Sequence, residues 1–206
     1  MSQSYRYIAE QSIIANLEDE YSLNIEEYAL LYSFYVTYSL CGRQSAKKRT
    51  FKDYGWNNNT ITTTEKGKRE STDIGQALAK IIDLNNATNF AFSEKKDDLG
   101  AQFNANNLSN GQIRDYDVER AVIAKTYESN KYLKLFYRIR DGLAHGKYLL
   151  KFSSKNEKMV IIQDDDGHNV TARIVIKLST LLNFVRCVDK NKIIHFNQSP
   201  TNDSTN

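Results

Sequence analysis

Proline is almost missing from this chain: one residue, Pro200, in 206. Helices are therefore free to run without the breaks that a fixed φ and a lost N–H impose. Cysteine is nearly as scarce. Cys41 and Cys187 fall on apolar runs that read as helices. Two thiols so placed make no disulfide framework and no set with zinc spacing, so buried structural thiols in a reducing, cytoplasmic setting are expected. No apolar run reaches the roughly 18 residues that a membrane span needs. The first residues, Met1 to Tyr7, lack the basic-then-apolar pattern of a secretory leader. No glycine-rich phosphate loop follows a strand pattern. Histidine is scarce too, with three in the chain: His145, His168 and His195.

What the chain does hold is enough apolar residue for one packed core, at 40% against 26% charged, and 13 Tyr with 9 Phe to fill it. The net charge of +3 is compatible with an RNA partner without identifying one.

Residues 4–21 carry Tyr7, Ile14, Leu17 and Tyr21 at helical spacing. Asn24 then caps a helix over 25–41 with Glu26 and Glu27 in its first turn, and Gly42 ends it. Residues 43–71 are irregular and interleave Lys47, Lys48, Arg49, Lys66, Lys68 and Arg69 with Phe51, Tyr54 and Trp56. That mixture can stack bases and neutralise phosphates, or it is a solvated loop whose aromatics tuck onto the core. Further helices are expected near 73–85, 94–105, 115–129 and 130–144. The last of these shows Tyr132, Phe136, Ile139 and Leu143 spaced 4, 3 and 4.

After Gly146 the period changes to two. Strands are expected over 148–152, 159–163 and 170–177. Asp164-Asp165-Asp166-Gly167-His168-Asn169 fits the turn between the last two better than it fits a metal site. Ser179 and Thr180 cap a final helix over 179–190, and the polar residues 195–206 are expected to be disordered. The resulting expectation is a mainly α protein. Residues 1–194 form one up-and-down helical bundle, with a small antiparallel β-meander at about 148–177 inserted before the last helix.

The segment Arg138-Ile-Arg140-Asp141-Gly-Leu-Ala-His145-Gly146 concentrates chemistry at the end of the strongest helix pattern. Arginine grips phosphate oxygens with a planar fork, and histidine exchanges a proton near neutral pH. Arg140 to His145 followed by Gly146 resembles the Arg-polar-x-x-x-His signature of the HEPN superfamily. The resemblance is carried by about nine residues, with a weaker match of helix pattern around them. It implies a metal-independent endoribonuclease without cofactor, in which two copies of the chain complete one cleft. It further implies a role in phage defence or a toxin–antitoxin pair, with RNA and an antitoxin protein as partners. His145 would be the general base or acid, Arg140 the phosphate clamp, and Asp141 the polar position, where many relatives carry a neutral amide. Arg138, Lys147 and Tyr148 would contact RNA. Some relatives are controlled through a tyrosine in a His-x-Tyr arrangement. Here Lys147 holds that place and Tyr148 comes one residue late, so this control is not expected.

On a regular helix, residues five apart lie about 140° apart around the axis, so Arg140 and His145 do not share a face unless the helix breaks near Gly146. Two other readings stay open. One is a catalytically inactive module of the same family that binds nucleotide or RNA or only dimerises. The other is an unrelated interaction protein in which the segment is a helix end with a glycine stop.

Overall fold

In a computed structural model the protein is described over residues 18–40, 48–59, 61, 73–93, 99–109, 113, 115–124, 130–167 and 169–194. Helix α1 (Ile25–Leu31) continues as a π-helical stretch, Tyr32–Thr37. Then come α2 (Asp73–Ala79), strand β1 (Phe90–Phe92), α3 (Leu99–Ala105), β2 (Arg120–Ile123), α4 (Lys131–Ala144), β3 (Tyr148–Phe152), β4 (Lys158–Asp165), β5 (Val170–Lys177) and α5 (Leu178–Val188). None of the described helices is long and apolar enough to cross a membrane.

The five strands form one mixed sheet in the order β1-β2-β5-β4-β3. The meander β3-β4-β5 is antiparallel as the sequence pattern predicts, with Tyr148 opposite Ile162 and Val160 opposite Ile176. β5 also pairs antiparallel with β2, Ala121 facing Ile174, and β2 pairs parallel with β1. A parallel pair needs a crossover, and here the crossover carries α3 across the second face of the sheet.

The chain is therefore an α/β fold built on a five-stranded sheet, and the expected mainly α helical bundle is wrong. The meander is the centre of the molecule rather than an insertion. β4 and β5 are buried on both faces. Val160, Ile162, Ala172, Ile174 and Ile176 pack with α4, α5 and the α1–π segment, whereas Met159, Ile161 and Val175 pack against Leu99 and Phe103 of α3. The main error lies at 115–124 of the expected 115–129 helix, the rest of which lies outside the described residues. Asp115–Glu119 is irregular and Arg120-Ala-Val-Ile123 is a strand buried along its whole length. A short apolar run buried on both sides carries no period that separates strand from helix.

Residues 18–24 are not helical, and the rest of the expected first helix lies outside the described residues, as do Cys41, His168 and the 195–206 tail. α5 begins after Lys177, which caps it without a side-chain bond, rather than at Ser179 and Thr180. Phe51, Tyr54 and Trp56 are buried, so the aromatics of that loop tuck onto the core.

Candidate functional site at the end of α4

Helix α4 is set from both ends and along one side. Asn130 caps it by accepting from the N–H groups of Tyr132 (2.9 Å) and Leu133 (3.2 Å). Tyr132, Leu135, Phe136, Ile139 and Leu143 face the core, with the Phe136 ring edge-on to Phe34 and Phe184. Gly142 lets the helix lie against β4: a Cβ there would sit 2.3 Å from Ile162 Cγ2 and 3.0 Å from the Gln163 carbonyl.

The helix ends in a double bond pattern. The Gly146 N–H donates to the Leu143 carbonyl (3.2 Å) and the Lys147 N–H to the Gly142 carbonyl (2.8 Å), with Gly146 at φ +65°. This is the Schellman arrangement, which needs a residue tolerant of the left-handed region. It turns the chain directly into β3. The break that the sequence demanded near Gly146 is present. His145 is the capping residue, at φ −94° and ψ 5°, and it is exposed. Among the described residues its imidazole makes no hydrogen bond. Tyr32, the first residue of the π-helical stretch, donates its phenol to the Leu143 carbonyl (3.0 Å) and stacks on Tyr28 at 4.3 Å.

The other residues of the segment divide by what holds them. Arg138 points at the sheet, where its guanidinium meets Asp164 of β4 and Thr171 of β5, and the Thr171 hydroxyl donates to the same carboxylate (2.7 Å). Lys147 is held by both oxygens of Asp165 at 2.6 Å. Arg140 Nε lies 3.0 Å from Asp141 Oδ1, but its N–H is not directed at an acceptor. The contact is one of charge rather than a directed hydrogen bond, and the side chain is mostly covered. Burial holds the Asp141 carboxyl above its usual range. Arg140 pulls it back, Asp164 pushes it further up, and Arg138 and His145 pull it back more weakly. Tyr148 is half-buried, its phenol pushed up by burial and then by Tyr28 and Asp19.

Arg140, Asp141 and His145 thus share one neighbourhood, whereas Arg138 and Lys147 are taken up by carboxylates. Asp164, Asp165, Thr171 and Tyr32 belong to the surroundings, and the sequence reading did not assign them. Asp164 carried a signal: it continues the inward series Val160, Ile162, and an acid on a buried strand face needs a partner. No group of three His, Cys, Asp or Glu side chains is placed to hold a metal among the described residues. One exposed imidazole can move one proton, and one guanidinium can meet one phosphate. No known family model, curated protein or solved structure matches the chain, so the HEPN resemblance is carried by its short motif alone.

Proposed function

We propose that the end of α4 is half of a metal-independent RNA-cleaving centre, completed by a second copy of the chain in a homodimer. The observation that carries this reading is the position of Asp141. Its carboxylate lies 3.0 Å from Arg140 Nε, and it stands one helical turn before His145 on the same side of α4, so it lies between the arginine and the histidine.

In the reaction, the ribose 2′-oxygen bonds to the adjacent phosphorus and the bond from phosphorus to the 5′-oxygen breaks. One His145 takes the 2′-OH proton and the His145 of the second copy protonates the leaving 5′-oxygen. Arg140 neutralises the charge that gathers on the phosphorane oxygens. Asp141 orients Arg140 and His145. Burial favours its neutral form, which lessens its repulsion of phosphate. Seating a second copy here also buries Ile25 and Tyr28, 76% and 46% exposed, two of the three large apolar side chains exposed among the described residues. Tyr28 reaches the α4 end through its stack on Tyr32. The motif's resemblance supports a role for such an enzyme in phage defence or opposite an antitoxin, and two thiols that make no disulfide framework favour a cytoplasmic setting.

A second reading has its own observation. The Schellman bonds account for His145 and Gly146 as a helix stop, which fits a catalytically inactive module that binds RNA or only dimerises. Incubation of the purified chain with labelled RNA in excess chelator separates the two. Cleavage should leave 2′,3′-cyclic phosphate ends and fall by about 10²–10⁴-fold in His145→Ala with an unchanged melting curve. Intact RNA with the wild-type chain, or equal cleavage by His145→Ala, overturns the proposal.

A further inference from the structure

The other end of α4 carries a different surface. Residues 48–59 are stitched to the exit of α5. Trp56 Nε1 donates to the Val188 carbonyl (2.8 Å), the Asn191 N–H to the Tyr54 carbonyl (3.3 Å), and Asn191 Nδ2 to the Asp53 carbonyl (3.0 Å). The chain after α2 lies beside the start of α4, since Tyr132 donates its phenol to the Ile82 carbonyl (3.0 Å). Asn130 reaches the Ile61 carbonyl at 3.4 Å.

These ties gather cations from three separate stretches. Lys190 sits over the Trp56 ring with Nζ 3.3 Å from its centroid, and Arg49 over Tyr38 at 5.3 Å. Helix α2 packs against α5, and Lys80 follows α2 directly, which brings it to the same side as Lys190 just past α5. A cleft of about 60 Å³ opens beside Trp56, between Asn57, Asn58, Asp73 and Lys190.

Among the described residues Arg49, Lys80 and Lys190 sit in no ion pair, as is also true of Lys131, Lys155 and Arg186 elsewhere. What marks Arg49 and Lys190 is that each rests on an aromatic face that fixes its direction, whereas Lys131, over Phe92, is already bonded to the Leu84 carbonyl. A cation held this way has already given up much of its side-chain freedom and still needs an anion.

We propose that this end of the molecule docks the backbone of single-stranded RNA. Lys190, Arg49 and Lys80 meet phosphates, and the amides of Asn57 and Asn58 meet the edge of an unstacked base. An anionic membrane is the poorer fit, because no large apolar side chain is exposed here among the described residues to anchor in it. The choice of RNA rests on the cleavage reading, but the binding does not. α4 is 14 residues long, so this surface lies about 20 Å from His145. A strand touching both ends spans about six nucleotides at roughly 3.4 Å per stacked base.

The test is anisotropy of a labelled 20-nucleotide oligouridylate across a salt series, in chelator, in a His145→Ala background that leaves the RNA whole. Binding should weaken linearly in log–log salt. Arg49→Gln with Lys190→Gln should lower the affinity and reduce the slope by about 1.4, at about 0.7 per lost phosphate contact. Lys80→Gln, on an exposed side chain with no hydrogen bond among the described residues, repeats the effect without touching an aromatic contact. Lys158→Gln with Lys177→Gln, on the ion-paired side, should leave the slope as it was. Absence of salt-dependent binding, an unchanged slope in the first pair and in Lys80→Gln, or capture by phosphatidylserine vesicles in place of RNA overturns the proposal. Failure of the cleavage reading shows separately, as wild-type chain that binds RNA and leaves it intact.

Discussion

Asp141 is the residue on which the candidate site turns, because its carboxyl is half-buried beside the Arg140 side chain. Its carboxyl titrates above the usual range, chiefly through burial, against the pull of Arg140. An acid whose folded-state pKa is raised holds its proton more tightly in the folded chain than in the unfolded one. Its stabilising contribution is then complete below the ordinary carboxylate value of about 3.9 and is lost as pH climbs through the raised value. Asp141→Asn removes this loss. The variant should match the wild type in acid and exceed it in stability at neutral pH, as read by denaturant midpoints across a pH series. A variant less stable than the wild type at neutral pH would mean that the Arg140 contact outweighs burial. Asp164 makes the opposite case. It is only 3% exposed yet meets a guanidinium and a hydroxyl, so its charge is compensated where it lies.

At the scale of elements, α4 was the most legible part of the sequence. Its core stripe and its end before Gly146 appear where the pattern put them, because each is a local device. The meander was legible for the same reason: alternation over β5 and the Asp166–Asn169 turn need no knowledge of the rest of the chain. β2 was not. Its identity comes from pairing with β5 and β1, which are distant in sequence, and burial on both faces removes the alternation that would mark it. Two motif residues, Arg140 and His145, were legible as chemistry, but the carboxylates that engage Arg138 and Lys147 come from β4 and were read only as a turn. Gly142 was likewise invisible as a contact residue. Alanine there gains helix propensity of about 1 kcal/mol but drives a methyl into Ile162 and the Gln163 carbonyl. Backbone cannot retreat as a flexible side chain can, so the overpacking cost of about 1–3 kcal/mol should win. Gly142→Ala is therefore expected to lower the melting temperature, and a variant as stable as the wild type would show that α4 can lift from β4.

Across the whole molecule, charge decides how RNA and a second copy can approach. Residues 18–27 hold five carboxylates and no Lys or Arg, which leaves the remainder more basic than the +3 total. Asp19 and Glu20 cap the outer edge of β3 by accepting from the N–H groups of Leu150 (2.6 Å) and Phe152 (2.8 Å), and Lys151 and Lys158 offset Glu20 and Glu27. A two-fold axis through this strip would set like charges against each other, so the proposed dimer is expected to place its axis outside it, toward His145. The proposed RNA contacts, at the Arg49–Lys190 end and at the end of α4, involve none of these carboxylates. If two copies share one cleft there, a mixed dimer of wild-type and His145→Ala chains lacks one of the two histidines that move protons. Random exchange in an equimolar mixture makes about half of the dimers mixed and leaves about a quarter wild-type. Cleavage by the mixture should therefore fall to about a quarter of that of the same total amount of wild-type chain, rather than to about half. Wild-type cleavage per chain should also decline on dilution, as the dimer dissociates. A mixture that keeps half of the activity, together with a rate per chain that is constant on dilution, would confine any activity to the single chain and exclude the shared cleft.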